Sequence, residues 1–533
     1  MGLFVPSGAT VLAVVKIVIP LWVLYLLGLA IYRRYFHPLR HYPGNFWASI
    51  TDLWYFGGVR YGLAERHSRP LHATYGPFVR IGPNTISIAE ASAIPQIYGP
   101  NTKGVVWNKS KFYSEFASGI SPRLDAFCER DEAKHSQRRR IVAPLYTQSS
   151  VLSYEPQVDR VIELFYSQME KFVASGEVFD MSVWLRKYTF DVIGEIFYGR
   201  KGGFGMIRDN IDYGNWCALM DTMPQFGSAQ SYVPPGTKPL YMIAQLFEGA
   251  DARKGLFGFF EVIKQAKAAA QDRLKLMKAG KEGYGKDDML TKLIEIHLER
   301  EAETGWTMKD VATELWAVIW AGSDTTAIAL TSIFWHLHKH PEMLDKLRAE
   351  INEAFDSNKL SYPVRYNDAN KLPYLTAVIK EGMRVHHSLG TGLPRDVPAG
   401  GADICGHFVP GGTTVIMNGN VVQFDKKIFG DDADDFVPDR WTRDGPEKAA
   451  YMERHILTFG YGPRICIGKW ITHVEMYKLL PTVLRDFDFE LLAEDWTVSY
   501  TWFQGQKGVN VKASTRRIRE NRDRPNLVTD AMR

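Results

Sequence analysis

The chain contains few cysteines for its length. Its 533 residues include only Cys128, Cys217, Cys405 and Cys466, and no two of them are close in sequence. This spacing excludes a CxxC metal site and a disulfide framework, and it favours a reducing compartment.

A strong charge of one sign and internal repeats are also lacking. The formal net charge of +4 is too small to indicate nucleic-acid binding, so we expect no nucleic-acid partner. The sequence contains no dinucleotide-binding fingerprint and no flavin-binding segment. Hydrophobic residues make up 45% of the chain, which is enough for a large core in one or several domains.

Residues 11–32 form a long apolar segment with a single charge, Lys16. Its length as a helix is about 33 Å, which is enough to cross a bilayer core of about 30 Å. Its aliphatic residues favour insertion by on the order of 6 kcal/mol, whereas Lys16 costs about 2.5–3.5 kcal/mol. A cleaved signal peptide is the alternative, but its apolar region is usually about 7–15 residues long. We predict an uncleaved membrane anchor.

The residues after this segment predict its orientation. Arg33, Arg34 and Arg40 follow directly, and the positive-inside rule then places the rest of the chain in the cytosol. Pro38 and Pro43 stiffen the chain between residues 33 and 50, because proline fixes φ and removes a hydrogen-bond donor. We interpret residues 33–50 as a hinge.

Residues 459–468 read Phe-Gly-Tyr-Gly-Pro-Arg-Ile-Cys-Ile-Gly, and a helix is predicted to follow over residues 469–480. A thiolate that ligates haem iron must be shielded from water while its negative charge is compensated. Phe459 can cover the sulfur of Cys466, and the N-terminal dipole of the helix favours the thiolate. The alternative is a lone cysteine in inert packing.

The other fixed positions of this loop suit the same chemistry. Gly462 and Gly468 allow close backbone approach, and Arg464 can hold a haem propionate through paired hydrogen bonds. The spacing Phe-x-x-Gly-x-Arg-x-Cys-x-Gly resembles the haem-binding loop of the cytochrome P450 family. The resemblance implies haem b ligated by Cys466 and a mainly α fold with a smaller β-rich region, preceded by one transmembrane helix.

The resemblance covers nearly the whole chain and implies its organisation. We expect a lumenal N-terminus at 1–10, the anchor at 11–32, the hinge at 33–50, a haem-thiolate catalytic domain at 51–511 and a basic polar tail at 512–533. Electrons are expected from NADPH through a separate flavoprotein, the NADPH-cytochrome P450 reductase. We further expect a monomer in the endoplasmic reticulum membrane, with O2 and a hydrophobic small molecule as substrates.

A long helix is predicted upstream. Residues 307–310 resemble a capping box, and the apolar pattern continues to His340, where Pro341 ends it. The centre of this helix, residues 321–326, contains Gly322 followed by hydroxyl and acidic residues, which are unfavourable inside a buried helix. Residues that are unfavourable in a helix and occur at only one place in it indicate a functional cause there.

In the P450 family this segment is the oxygen-binding groove. The resemblance implies that Thr325 donates a hydrogen bond to dioxygen and that Asp324 relays protons from solvent. A kinked helix with solvated polar residues is one alternative. Two others are a haem-thiolate isomerase or dehydratase that needs no reductase and a non-catalytic haem-binding protein. Thr325 favours monooxygenation, because isomerases of the family tend to lack this threonine.

A charge network is predicted to support the cysteine loop. Glu381 and Arg384 lie at i and i+3 of a helical stretch at 375–385. The pair alone is a weak pattern, but residues 436–441 resemble the family's segment before the cysteine loop, and Arg440 matches the third member of its Glu-Arg-Arg network. We interpret these three residues as structural.

Three more residues are predicted to contact the haem. His135 and Arg139 lie at i and i+4 in a basic run, at the place of the family's haem-contacting helix. Arg395 matches the strand after the Glu-x-x-Arg helix. The resemblance implies that all three hold the haem propionates.

Other basic residues near these motifs are not expected to contact the haem. Arg138 and Lys134 are predicted to lie on a solvated face and, together with Lys469, to form a basic surface for an acidic reductase. The family often has alanine at the position of Thr472. We expect this difference to alter packing under the haem without affecting ligation.

Three segments are expected to line the substrate pocket: residues 116–127, 388–392 and 500–503. The helix face of Ile319 and Trp320 is expected to join them. Most of these residues are apolar or aromatic, which suits a hydrophobic ligand.

Two further segments, 107–113 and 190–195, are similar to the pisatin demethylase-like group of filamentous fungi. The substrate implied is a fungal secondary metabolite, such as a terpenoid, polyketide or alkaloid, in a biosynthetic or detoxifying pathway.

Overall fold

A computed structural model describes residues 8–100, 105–233, 235–245, 247–280 and 288–516 of the chain. Most of the predicted lumenal segment and of the basic tail therefore lies outside the described residues. The boundaries predicted for the five segments remain predictions.

The N-terminal apolar segment is a helix, α1 (Gly8–Ile31), that continues as a π-helix over Tyr32–Phe36. The stretch Lys16–Phe36 is long and apolar enough to span a membrane, and none of it is buried against the rest of the protein. This arrangement fits the predicted single transmembrane anchor. The stretch Met308–Lys339 meets the same test but is mostly buried, as a core helix would be.

Twenty-two further α-helices follow in the described residues. The first eleven are α2 Phe46–Ile50, α3 Leu53–Arg60, α4 Ala64–Tyr75, α5 Ile94–Tyr98, α6 Glu132–Val142, α7 Gln148–Leu152, α8 Glu155–Ser175, α9 Met181–Tyr198, α10 Trp216–Gln230, α11 Lys238–Gln245 and α12 Ala250–Lys278. The others are α13 Met289–Thr304, α14 Met308–Gly322, α15 Asp324–Lys339, α16 Pro341–Asp356, α17 Tyr366–Ala369, α18 Pro373–Val385, α19 Gly419–Val422, α20 Lys426–Phe429, α21 Arg440–Arg443, α22 Gly445–Glu453 and α23 Lys469–Asp486.

The strands are short. They are β1 Phe78–Gly82, β2 Thr85–Ile88, β3 Val178–Asp180, β4 Arg395–Asp396, β5 Ala402–Ile404, β6 His407–Val409, β7 Thr414–Ile416, β8 Phe487–Leu491, β9 Thr497–Val498, β10 Gln506–Lys507 and β11 Asn510–Thr515. The largest sheet has the order β1-β2-β7-β4, and β2 pairs with β7 in parallel, Ile86 opposite Val415. Three smaller antiparallel sheets have the orders β3-β11-β8, β10-β9 and β5-β6. The predicted mainly α fold with a smaller β-rich region is confirmed.

The central helix is α14 with its continuation α15. Both bury most of their residues, and α15 packs against α9, α18 and α23. The predicted capping box is present, because the backbone N–H of Thr307 donates to Asp310 Oδ2 (2.9 Å) and the side chain of Thr307 caps the helix in return. The helix is interrupted at Ser323, between the polar residues that the sequence placed in its centre.

The segment 190–195 has a structural explanation in α9. The carboxylate of Asp191 accepts hydrogen bonds from the backbone N–H groups of Phe204 (2.7 Å), Met206 (3.1 Å) and Ile207 (2.8 Å). A Cβ at Gly194 would lie 2.9 Å from the backbone of Gly203. This segment therefore anchors the loop after α9 against the core.

Candidate haem site

The cysteine loop is held by its own backbone. The N–H of Cys466 donates to the carbonyl of Phe459 (2.7 Å), which closes the loop. Gly462 has φ +65°, and a Cβ there would lie 2.1 Å from the carbonyl oxygen of Tyr98. A Cβ at Gly468 would lie 3.9 Å from the sulfur of Cys466. The contact of Gly462 agrees with the close backbone approach that the sequence predicted for it. The distance at Gly468 is an ordinary van der Waals contact, so a steric role of Gly468 stays a prediction.

The thiol of Cys466 lies in a recess, because its side chain is exposed to solvent and yet burial raises its pKa. The N–H groups of Gly468 and Lys469 and the charge of Arg139 act in the opposite direction and favour the thiolate. The two N–H groups lie at the start of α23, where unpaired backbone donors and the helix dipole stabilise negative charge. Arg139 also donates from Nη1 to the carbonyl of Ile465 (2.8 Å). This local environment suits a metal-bound thiolate.

Four cationic or potentially cationic groups lie near one another beside this loop. Burial lowers the pKa of Lys109 well below its ordinary value, and the charges of Arg395 and Arg464 lower it further. The pKa of His135 falls to about 3, through burial first and then through Arg464, Lys109 and other neighbouring cations. Groups that lower each other's pKa in this way favour an anionic ligand.

The polar contacts of this cationic cluster (Lys109, His135, Arg395 and Arg464) are mostly neutral. Lys109 Nζ donates to the carbonyl of Phe127 (2.6 Å), and Arg395 Nη1 donates to the hydroxyl of Tyr113 (3.1 Å). Arg464 Nε donates to the carboxylate of Glu132 (2.7 Å), which also lies 3.8 Å from Nδ1 of His135. Glu132 contacts only Arg464 and His135, and Asp125 acts on Lys109 from a greater distance. Two propionates would supply the missing negative charge, so the residues fit a haem with its propionates at this cluster.

Arg139 does not join this cluster in the structure. It belongs to the same helix as His135, α6, but its guanidinium contacts the cysteine loop through Ile465. A propionate contact of Arg139 stays a prediction.

The break in the central helix gives a groove. Thr325 Oγ1 donates to the carbonyl of Ala321 (2.8 Å), and Ser323 Oγ donates to the carbonyl of Ile319 (2.6 Å). Ala321 is exposed and Thr325 is half-buried although the helix around them is buried. This part of the helix is therefore accessible to solvent. The hydroxyls of Ser323 and Thr325 donate hydrogen bonds to backbone carbonyls that have no helical partner at the break.

A series of ion pairs connects Asp324 to the surface. Its carboxylate is 1% exposed and lies 2.8 Å from Nε of Arg186, which reaches it from α9. Burial raises the pKa of Asp324, and Arg186 opposes this effect. Arg186 also contacts Asp221 on α10 (2.9 Å), and Asp221 contacts Lys507 (2.6 Å), whose side chain is exposed. These ion pairs hold the buried carboxylate in place and link it to the exposed Lys507.

The structure brings Glu381, Arg384 and Arg440 together in a buried network. Glu381 accepts two hydrogen bonds from Arg384 (2.8 and 2.9 Å) and one from Nε of Arg440 (2.8 Å), and all three side chains are fully buried. It also accepts from Nε1 of Trp441 and from the N–H of Val437 (both 2.9 Å). The network therefore fastens α18 to α21 and to the segment that leads to the cysteine loop.

Comparison with known proteins agrees with this geometry. The sequence model of the family described as Cytochrome P450 matches residues 52–505. The match covers well over half of the chain. The chain belongs to the cytochrome P450 family. Haem-thiolate chemistry is the property of that family, and the prediction of a P450 enzyme is confirmed.

This P450 is similar to several fungal proteins. It is 37% identical to the cytochrome P450 monooxygenase gsfF of Penicillium aethiopicum, over 92% of this chain and 96% of the relative. It is 35% identical to a pisatin demethylase of Fusarium vanettenii, over 89% of this chain and 90% of the relative. The monooxygenase cicH of Emericella nidulans is 34% identical over 87% of this chain and 91% of its own length. The predicted similarity to fungal, pisatin demethylase-like P450s is confirmed.

Arg138 of this P450 is not on a solvated face, and that prediction was wrong. Its guanidinium is buried and donates to Glu314 (2.7 Å) and Asp310 (3.3 Å) of α14. An arginine at this depth needs carboxylate partners, and these two lie far from it in sequence. Arg138 therefore ties α6, which carries His135, to the central helix. Lys134 is exposed, as predicted.

Sequence reasoning missed two polar residues near the site. Lys109 belongs to the segment 107–113, where a lysine between Asn108 and Ser110 gives no sign of burial. Glu475 on α23 is 0% exposed, and its carboxylate oxygens have no hydrogen-bond partner at normal geometry among the described residues. The hydroxyl of Thr326 acts on this carboxylate and lowers its pKa, and that hydroxyl lies 2.9 Å from the hydroxyl of Thr472. The unusual Thr472 thus joins a polar contact between α23 and α15.

The burial of Glu475 gives a prediction about stability. Burial raises its pKa well above the ordinary 4.5, so above pH 4.5 the folded state keeps a proton that the unfolded state has lost. Its contribution to stability is therefore full below pH 4.5 and is lost as pH rises towards the folded pKa, by up to about 1.4 kcal/mol per pH unit. We expect Glu475→Gln, which is neutral at every pH, to flatten this decline.

The measurement is the unfolding midpoint of the haem-loaded protein at pH 5 and pH 8. The stability difference between Glu475→Gln and the parent chain should be more favourable to the variant at pH 8. Glu490→Gln on the exposed side of β8 is the matched control and should leave the pH dependence unchanged. Equal pH slopes for Glu475→Gln and the parent chain would contradict a protonated Glu475.

The predicted substrate segments meet in an aromatic cluster. The rings of Phe112 and Phe116 lie 5.2 and 5.3 Å from that of Trp502, and the ring of Phe127 lies 5.8 Å from it. Residues 388–392 join this wall, because Leu389 forms an isolated bridge with Phe503. Trp320 lies on the central helix beside Trp316 and Phe259, within 6.0 Å of each ring. Phe112 was not among the predicted lining residues.

Proposed function

We propose that this P450 inserts one oxygen atom from O2 into a hydrophobic small molecule, a fungal secondary metabolite of a biosynthetic or detoxifying pathway. The observation that carries the proposal is the acid and alcohol pair, Asp324 and Thr325, at the break of an otherwise buried helix. A haem carrier has no use for a buried carboxylate that is connected to solvent through Arg186. The relatives named monooxygenases support the same reaction class.

Each residue of the site has a task in this reaction. A bound haem thiolate supplies the activation of O2, and Cys466 is the residue that ligates its iron. The cationic cluster would hold the propionates of a bound haem. Thr325 can turn its hydroxyl from the carbonyl of Ala321 into the groove, where it donates a hydrogen bond. Asp324 moves protons from the surface to that hydroxyl, and Arg186 holds the carboxylate in place.

The pocket chemistry supports an apolar substrate. The aromatic wall of Phe112, Phe116, Phe127 and Trp502 offers π-faces and little hydrogen bonding, so shape and apolar contact would select the ligand. Terpenoids, polyketides and alkaloids all satisfy this condition. A relative named pisatin demethylase adds oxidative demethylation to the reactions to be tested.

The electrons are proposed to come from NADPH through a separate flavoprotein reductase, because the sequence holds no nucleotide- or flavin-binding segment. The anchor suits the endoplasmic reticulum membrane, with the catalytic domain in the cytosol. There such a reductase would meet the face of the domain that carries the cysteine loop. Lys469 and Arg139 lie beside the cysteine loop and supply positive charge to that face. The protein is proposed to act as a monomer.

The function is tested with microsomes that contain this protein and a reductase, incubated with extract of a fungal strain that lacks it. Mass spectrometry should find a metabolite that is consumed only with NADPH and a product that is heavier by one oxygen or lighter by a methyl group or two hydrogens. Conversion that does not depend on NADPH would contradict monooxygenation and support an isomerase or dehydratase. A haem-thiolate protein that converts no metabolite in a complete library of the strain would support a non-catalytic role.

Thr325→Ala gives a sharper prediction for the same assay. Loss of the hydroxyl should lower product formed per NADPH on the order of 100-fold, because positioned proton transfer contributes about that much, and hydrogen peroxide should replace the product. Thr313→Ala is the matched control, since Thr313 Oγ1 makes the same contact with the carbonyl of Lys309 (2.8 Å) on the same helix. An unchanged product yield in Thr325→Ala would contradict the role of this hydroxyl.

A further inference from the structure

Arg80 in β1 is buried without a counter-charge. Its side chain is 2% exposed, and only Nη2 is used, in a hydrogen bond to the carbonyl of Pro83 (2.6 Å). Nε and Nη1 are buried and have no hydrogen-bond partner among the described residues. A buried guanidinium with unpaired N–H groups is costly, and natural proteins normally pair it with an anion. Nothing in the haem site explains this residue.

The charges around Arg80 are also cationic. Burial and, to a smaller extent, the charges of Arg34 and Arg33 together lower its pKa to about 10. Nε of Arg34 is likewise buried without a partner in the described part of the chain. His37 lies near these arginines. Burial lowers the pKa of His37, and the charges of Arg80 and Arg33 lower it as well. Asp52 is an acidic residue near these arginines, and the charge of Arg33 acts on its pKa. Among the described residues, Asp52 is not close enough to Arg33 to form an ion pair.

The position of these residues along the chain indicates where the missing anion comes from. Arg33 and Arg34 lie in the π-helix that directly continues the apolar anchor α1. Aromatic side chains with 49–65% exposure surround this junction, as at a membrane interface. They are Tyr32, Tyr35, Phe36, Phe46 and Trp47. The junction therefore lies at the depth of the lipid headgroups, where phosphodiesters are the abundant anions.

We propose that Arg33, Arg34 and Arg80 form a binding site, the arginine site, for the phosphodiester of an anionic phospholipid. Guanidinium groups bind phosphate oxygens through paired hydrogen bonds, and the free N–H groups of Arg34 and Arg80 are the donors available for them. Arg33 is fixed at this place by a hydrogen bond from Nη1 to the carbonyl of Ile50 (2.7 Å) and adds its charge. The bound lipid links the anchor to β1 of the catalytic domain and thereby restricts how the domain is oriented on the bilayer.

The site is tested on the full-length, haem-loaded protein in nanodiscs that contain phosphatidylcholine with one-fifth phosphatidylserine. Native mass spectrometry after release into detergent should find one phosphatidylserine retained per chain. Arg34→Gln should lower this retention at least about 10-fold, and Arg80→Lys, which keeps the charge but loses the paired donors, should lower it as well. The haem spectrum of each variant shows whether the fold is intact.

Arg40→Gln is the matched control, because Arg40 belongs to the same basic segment and is exposed. It removes the same charge and should leave the retained lipid in place. Equal losses in Arg34→Gln and Arg40→Gln would overturn the arginine site and leave only general attraction to an anionic surface. Release of the lipid by millimolar inorganic phosphate would overturn the lipid as the occupant and assign the site to a soluble anion.

Discussion

Cys466→Ser is expected to abolish the carbon monoxide difference spectrum of a thiolate-ligated haem, and NADPH-dependent turnover with it. Changes in groups that merely surround a metal ligand cost about 10–100-fold, so loss of the ligand itself should exceed about 100-fold. The reason is local, because the N–H groups at the start of α23 and Arg139 stabilise negative charge on this one sulfur. A serine hydroxyl stays protonated in the same environment and cannot donate charge to the iron.

The control for this prediction is Cys405→Ser, since Cys405 is a half-buried free cysteine outside the recess. It should keep both the spectrum and the turnover of the parent chain. Far-ultraviolet circular dichroism should show that Cys466→Ser retains its helices. A Cys466→Ser protein with an unchanged carbon monoxide spectrum would refute Cys466 as the ligand, whatever its activity.

The parts of the site that the sequence predicted are those set by short segments. The cysteine loop works through contacts within ten residues, such as the bond between Cys466 N–H and the carbonyl of Phe459, so its spacing already contains its geometry. The capping box at Thr307 and the helix break after Gly322 are local in the same sense. Each follows from the preferences of one or two residues for a backbone conformation.

The residues that the sequence did not predict are those whose role depends on distant partners. Arg138 was assigned to solvent because its run of three arginines contains no acid, and Glu314 reaches it from another helix. Lys109 is buried against Phe127 and the distant Arg395, and Glu475 of α23 is buried near Thr326 of α15. The parallel pairing of β2 with β7 is equally non-local, and no turn motif signals it. Periodicity describes one element and cannot specify such partners.

In the charge network of Glu381, too, local spacing predicts one contact and distant partners determine its effect on stability. The Glu-x-x-Arg spacing predicts that Glu381 and Arg384 share a helix face, yet such a pair on a surface contributes only about 0–1 kcal/mol. Here the pair is fully buried, and Arg440 adds a second guanidinium that shares the carboxylate. Removal of Glu381 would leave two buried cations unpaired.

Glu381→Ala is therefore expected to destabilise the protein by about 3–5 kcal/mol, the loss typical of breaking a buried ion pair from one side. Folded proteins are stable by only about 5–15 kcal/mol, so most of the expressed Glu381→Ala chain should lack haem and aggregate. The measurement is the yield of haem-loaded protein by its carbon monoxide spectrum, together with the thermal unfolding midpoint of the fraction that folds.

Glu453→Ala is the matched control, because Glu453 pairs with Lys380 of the same helix, α18, on the surface. It should change the unfolding midpoint little, and an equal loss in both variants would contradict the network. The folded fraction of Glu381→Ala should still form the parental amount of product per NADPH, since Thr325, Asp324 and Arg186 do not contact the network. A coupling defect in that fraction would instead make Glu381 a positioning residue for the reaction. The two measurements thus separate support of the cysteine loop from participation in the chemistry.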